Sequence, residues 1–393
     1  MSKHNGGPSI GRNPVRVTAV AAACLAVAAV ALPAVAQSPS AAANPSHLSE
    51  FGPFTPSDAV GAKPDLPRSI AFMVPDSGIE YYADIGKAIE QGAKDAGVEY
   101  SIVSAAGDPV KNIDQINQEL QKGVGCLVVQ PIDTAAQAAV LQQAIDKGVY
   151  VDFFVTPPAN TQTMADQYDL GYQQGKAAVE WIKENLAGEK ALVANMSIDA
   201  IAEALIPRRL GTEAALKEGG VEFIDVPVLH ATPDEGFQKA SQLYQANPDI
   251  NVWIGPDQDI LQVNAYLESA GKDPAKDKIY LTGLNGDSGN LDAVAAGNTF
   301  IKSTWAFQNS VMGYAFGRLC GDWLDGKNVP QVVQVKGTNL TDAAGVEEYK
   351  KTIGDPAGQY PLLVAGTQGG NAFWGNTSFE NKDNYIKEIV TGG

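Results

Sequence analysis

The chain has 393 residues, 45% of them hydrophobic and 19% charged, which suits about two globular domains with a substantial core. Its net charge of −17 becomes −20 once Lys3, Arg12 and Arg16 are set aside with the leading segment that carries them. An excess of that size repels phosphate backbones and anionic membrane surfaces, so no nucleic acid is expected as a partner.

Residues 1–36 read as a secretory signal peptide. Three cations precede an apolar, alanine-rich run at 17–35, and Ala34-Val35-Ala36 offers a small-residue cleavage site. A membrane anchor is the rival reading, disfavoured by the polar sequel; Cys24 sits in a poor context for a lipid anchor. The expected location is therefore the periplasm. Residues 37–67, rich in Pro, Ser, Ala and Gly, read as a flexible leader.

From Arg68 the pattern alternates. A short apolar run at 70–74 ends in turn formers, and a tyrosine pair, Tyr81 and Tyr82, stands where the next helix opens. Ile85, Ala88, Ile89 and Ala93 then line one helical face. Strands follow at 99–105, 126–131 and 149–155, with helices at 110–123 and 133–148 between them, and 157–167 reads as a loop. After a helix over 169–186 the plan restarts. Strands at 191–196, 221–230, 250–255, 278–286 and 299–307 alternate with helices at 206–220, 232–248, 258–271 and 287–297. A further helix at 309–326 and strand at 330–337 close the series. Two consecutive runs of βα units predict an α/β protein of two doubly wound parallel-sheet lobes. Residues beyond Gly337, with one short helix at 343–354, read as an extension of the second lobe.

Enzyme signatures fail one by one. The three histidines, His4, His47 and His230, form no metal or triad pattern, so neither a metal nor a cofactor is expected. Gly286-Asp287-Ser288-Gly289 spells a serine-protease fragment, but it reads as a turn and helix cap in an α/β context. Gly123-Val124-Gly125 lacks the third glycine of a dinucleotide loop. Pairing Asp257 with Asp259 as glycosidase carboxylates would be arbitrary in so acidic a chain. Cys126 and Cys320 both fall in apolar elements. Two buried thiols are the expectation, with a disulfide as the alternative.

A binding cleft remains. Ligands of doubly wound sheets sit beyond the carboxyl ends of the strands. There the sequence places the aromatics Tyr81, Tyr82, Phe153, Phe154 and Trp305, with Arg208, Asp257 and Asn285 as polar partners and Arg209 as an alternative to Arg208. For each aromatic alone, core packing is the plain reading. Their recurrence at strand ends favours a pocket of flat walls and polar groups, which suits a sugar or polyol.

The ordered segments IAFMVPDSGIEYYADIGKAIEQGAKDAG, GCLVVQPIDTAAQAAVLQQAIDKGV, PRRLGTEAAL, INVWIGPDQDILQVNAYLESAGK, LTGLNGDSGNLDAV and GNTFIKSTWAFQNSVMGYAFG resemble the periplasmic sugar-binding proteins of ABC transporters, in their ribose-binding-like branch. The resemblance spans 68–337. It implies a type I binding-protein fold whose lobes, joined by a three-strand hinge, close on ligand. It places the crossings near 168–169, 306–307 and 335–337, so that 68–168 with 307–336 form one lobe and 169–306 with 337–393 the other. Tyr81 and Tyr82 match the family's sugar-stacking aromatics, Arg208 its hydroxyl-binding arginine, and Asn285 a position often held by aspartate. Phe153-Phe154-Val155 replaces the usual Asp-Arg pair and Pro256 the usual asparagine, giving a more aromatic pocket. The function implied is a monomeric, non-enzymatic receptor that hands its ligand to a membrane ABC permease. A sensor for a purine or signal molecule, or a secreted α/β hydrolase, are the alternatives.

Overall fold

The computed structural model describes residues 46–153, 158–197, 205–227 and 233–391. The signal segment, Phe154 and His230 lie outside the described residues. After β1 (Ser46–His47), the apolar run becomes β2 (Ser69–Val74), followed by α1 (Glu80–Asp95) and β3 (Glu99–Ser104). Next come α2 (Pro109–Lys122), capped by Asp108 and ended by Gly123 at φ 80°, and β4 (Cys126–Val129). Then α3 (Thr134–Asp146), β5 (Tyr150–Phe153) and β6 (Thr161–Met164) complete the first run. The second run is α4 (Gln167–Asn185), β7 (Leu192–Ser197), α5 (Ile206–Glu218), β8 (Glu222–Pro227), α6 (Pro233–Ala246) and β9 (Val252–Ile254). It continues through α7 (Asp257–Ser269), β10 (Tyr280–Asn285), α8 (Ser288–Ala296) and β11 (Ile301–Ala306). The remainder is α9 (Asn309–Leu324), β12 (Val332–Gln334), β13 (Thr338–Leu340), α10 (Ala343–Gly354), α11 (Pro356–Val364), β14 (Ala372–Trp374) and β15 (Val390–Thr391).

The strands form two α/β sheets, ordered β14-β12-β6-β5-β4-β2-β3 and β13-β11-β10-β9-β7-β8. All pairs within them are parallel except the edges, where β14 runs against β12 and β13 against β11. The order reverses between β2 and β4 in one lobe and between β7 and β9 in the other, and at such points the strand ends open a crevice. Both sheets are buried on two faces: Ile70, Phe72, Leu127 and Val128 are solvent-free in the first, and Val193, Val252 and Leu281 in the second.

Helix pairs close the lobes through glycine. A Cβ on Gly92 of α1 would stand 2.2 Å from the carbonyl oxygen of Tyr314 on α9, and one on Gly171 of α4 would stand 1.9 Å from that of Arg208 on α5. Only glycine permits backbones to approach so closely.

Four features depart from the sequence reading. Residues 161–164 form a strand rather than a loop. Thr161, Gln162 and Thr163 are buried because hydrogen bonds satisfy them: Tyr150 Oη donates to Thr161 Oγ1 at 2.7 Å, and Gln162 Oε1 accepts from Val390 N at 2.9 Å. The extension does not all belong to the second lobe. It stays there through α10, whose Val346 and Tyr349 join the second core. It then crosses at Asp355, so that α11 packs on α9 and β14 extends the first sheet. With the passages after β6, β11 and β12, the described chain passes between lobes four times. The leader from residue 46 onward is not a detached tether. β1 pairs with β15, Phe54 N donates to Phe373 O at 3.1 Å and Gly61 N to Gly326 O at 2.8 Å, all along the first lobe. Finally, Cys126 of β4 and Cys320 of α9 are joined in a disulfide across 194 positions, not held as two thiols, because the packing of α9 on the first lobe brings their Cα atoms to 5.9 Å.

Both cysteines are fully buried, and a cross-link over so long a loop removes about 5 kcal/mol of denatured-state entropy. The Cys126→Ala/Cys320→Ala variant is therefore expected to unfold at a clearly lower urea concentration than the parent. Coincident midpoints would show that the bond contributes nothing to stability.

Candidate functional site

The first turn of α1 forms one wall of the crevice. Tyr82 leans edge-on against Phe72 with ring centroids 6.4 Å apart, and Tyr81 meets Tyr82 at 5.2 Å, also edge-on. Both tyrosines are half-buried against the first core. Burial pushes the Tyr81 hydroxyl far above its ordinary range; the charge of Arg208 opposes this and that of Asp287 adds to it. Arg208 and Asp287 of the second lobe thus lie near enough to Tyr81 of the first to influence its hydroxyl.

Arg208 is placed by the α4–α5 contact. The glycine approach at Gly171 sets the start of α5 against the start of α4, and the guanidinium donates from Nε and Nη2 to Gln167 Oε1 at 2.9 and 2.6 Å. Arg209 is bonded to Glu213 and also borders the adjoining cavity. Below Arg208 a cavity opens at the ends of β7 and β9, lined by Gln174, Asn195, Thr212, Pro256 and Leu284 among others.

Asp257 does not face this space. Its carboxylate is fully buried and accepts from the backbone N–H groups of Gly286 (2.8 Å) and Asp287 (2.7 Å), from Asn290 Nδ2 (2.6 Å) and from Thr304 Oγ1 (2.8 Å). It therefore positions the loop after β10 rather than offering oxygens to a ligand. Burial raises its pKa, and those four donors oppose the rise, so of the neighbouring acids Asp257 is the better able to stay ionised.

On that loop Asn285 adopts φ 136°, a conformation unfavourable for a residue with a side chain, followed by Gly286 at φ 79°. The Asn285 carbonyl accepts from Asn309 Nδ2 at 3.4 Å, and its side chain bonds Asp287. Trp305 lies on β11 opposite Leu284 and Asn339 and packs against the first core. Its buried Nε1–H has no acceptor among the described residues, and Asn309 Oδ1 and Asn339 Oδ1 likewise have no donor among them. Phe153 ends β5, and Phe154 lies beyond the described residues.

The structure thus gathers Tyr81, Tyr82, Arg208, Asn285 and Trp305 around the crevice and withdraws Asp257 from it. It adds Gln167, Asp287, Asn309 and Glu80. Gln167 and Asn309 each open the helix that follows a crossing, a position that sequence alone could have marked. Asp287 precedes α8 as a cap position should, yet its side chain makes no cap bond. Among the described residues no group of His, Cys, Asp or Glu is arranged to hold a metal ion, and no helix is long and apolar enough to cross a membrane.

Replacing Asp257 by alanine would leave two buried N–H groups, an amide and a hydroxyl without their acceptor. The expected loss is more than about 3 kcal/mol in urea unfolding; a loss below about 1 kcal/mol would mean that the loop has other support.

Residues 70–328 match the family model described as a periplasmic binding protein domain. The ribose import binding protein of Bacillus subtilis is 26% identical over 267 residues, covering 64% of this chain and 80% of that protein. The Caulobacter myo-inositol binding protein, solved with myo-inositol, superposes with a TM-score of 0.64 at 18% identity, covering 75% of this chain and all of that one. A Mycobacterium smegmatis protein in complex with β-D-fucofuranose gives 0.65 at 19% identity, with 78% and 99% covered. With the two lobes, the reversal points and a model match over most of its length, the chain belongs to the periplasmic binding protein family, a solute-binding rather than enzymatic class, and has its type I fold.

Proposed function

We propose that this chain is an exported receptor that captures a small sugar or polyol between its lobes and delivers it to a membrane ABC permease. The observation that carries this reading is the meeting of the two lobes at the strand ends, where Glu80, beside Tyr81 on α1, accepts the Ser288 N–H of the second lobe at 3.0 Å. A ligand held there touches both lobes only when they are together, so binding favours the closed form by the difference in contacts. The pair of tyrosines supplies flat apolar walls for the C–H faces of a ring. Arg208, Asn285, Asn309 and the Trp305 indole N–H supply donors and acceptors for its hydroxyls. Relatives named for ribose, myo-inositol and fucofuranose support this ligand class. Export is supported by the signal-like first 36 residues.

The test is a thermal-shift screen of the purified protein against pentoses, hexoses, polyols, inositols, nucleosides and amino acids. A ligand at about a hundred times its Kd adds roughly 2.7 kcal/mol, enough to raise the Tm by several degrees. A sugar or polyol is expected to do so, and Arg208→Ala to weaken that ligand by more than about 1 kcal/mol. A nucleoside or amino-acid hit would overturn the ligand class, and a folded Arg208→Ala protein with undiminished affinity would remove the arginine from the site.

A further inference from the structure

At the mouth of the crevice the first turn of α1 meets the first turn of α8. The Glu80 carboxylate accepts the backbone N–H of Ser288 at 3.0 Å, so an acid of the first lobe caps a helix of the second. Asp287, the cap position of α8, leaves that helix end open by making no side-chain cap bond, and the end carries the partial positive charge of the helix. The cap is thus supplied across the cleft and exists only when the lobes are together.

The same contact crowds acids. Asp287 is only 9% exposed. It is faced by Glu80, Asp84 and Tyr81 from α1, by Asp257 from α7, by Tyr349 from α10 and by the Asn285 side chain from the end of β10. The cations of these elements and of α5 are engaged elsewhere: Lys87 with Asp84 at 2.8 Å, Lys350 with Asp292 at 2.7 Å, and Arg208 with Gln167. Asp257 and Asp287 are buried, and two buried carboxylates in mutual reach are not both readily ionised; the exposed Glu80 and half-buried Asp84 add to the charge against Asp287. Asp257 has four donors and Glu80 has the helix end; at Asp287 burial and the neighbouring acids outweigh the Asn285 side chain, which opposes them.

We propose that Glu80 and Asp287 form an interlobe clasp that engages with one proton. Glu80 caps the α8 terminus, Asp287 closes in its neutral form, and the closed state gains population as pH falls. The inference rests on the hinge reading of the two lobes and requires no particular ligand. Burial first, and then Asp257, Glu80 and Asp84, push Asp287 up to about 8 when the lobes touch. With the lobes apart, Glu80 and Asp84 recede while Asp257, on the same lobe, stays, so the Asp287 carboxyl is raised less than when the lobes touch. The closed form therefore binds more protons over the range in which Asp287 titrates, and closure weakens as pH rises through that range, by at most about tenfold per pH unit.

Small-angle X-ray scattering of the ligand-free protein from pH 5 to 9 tests this, with circular dichroism confirming that each variant is folded. The radius of gyration is expected to rise with pH in the parent. Asp287→Asn should stay compact throughout, and Glu80→Ala should be more open than the parent at low pH, with Glu80→Gln between them. A parent with no pH response, or an Asp287→Asn variant that keeps the whole response, would overturn the clasp. A silent ligand screen would count against the proposed function and leave this result untouched.

Discussion

The two-lobed form depends on how tightly α9 is held by the first lobe. The chain reaches α9 straight from β11 of the second sheet, and three kinds of contact then fix the helix on the first. The absence of side chains at Gly92, Gly313 and Gly317 lets its backbone lie against α1, the Cys126–Cys320 bond ties it to β4, and the Trp323 indole donates to the Gly148 carbonyl at 3.0 Å. Its rear half is therefore part of the first core. Because α1 is pinned from behind, its front end, with Glu80, Tyr81 and Tyr82, is presented to the crevice as a rigid edge rather than a loop.

The second lobe solves a matching problem with charge. The loop after β10 must turn sharply, and a strained Asn285 is tolerated because the following two N–H groups are held by Asp257. Asp257 and Asp287 are chemically identical, yet their surroundings separate their roles. One is surrounded by donors and serves the loop; the other lies among acids and one amide and responds to the approach of the opposite lobe.

Much of the fold was legible because parallel sheets buried on both faces leave a strong apolar signal, as at 70–74 and 126–129, and their helices a clear 3.6-residue period. The parts that were not legible lacked that signal. β6 is Thr-Gln-Thr-Met, buried through individual hydrogen bonds that no periodicity announces. β14 has three residues and α11 carries an internal proline, so neither stands out from the Gly- and Asn-rich extension around them. The disulfide joins positions 194 apart, and only the tertiary packing of α9 reveals it. Within the site, strand-end position pointed to Tyr81, Tyr82, Arg208, Asn285 and Trp305, which remain the residues proposed for the ligand. It could not reveal that Asp257 spends its oxygens on its own loop, since that depends on which donors the fold brings to it.

The most direct measurement is a crystal structure of the protein with the best sugar or polyol from solution. Density for the ligand is expected between the tyrosine pair of α1 and Arg208 of α5, with hydrogen bonds from both lobes. A ligand seated on one lobe alone, or outside the crevice, would contradict capture by closure.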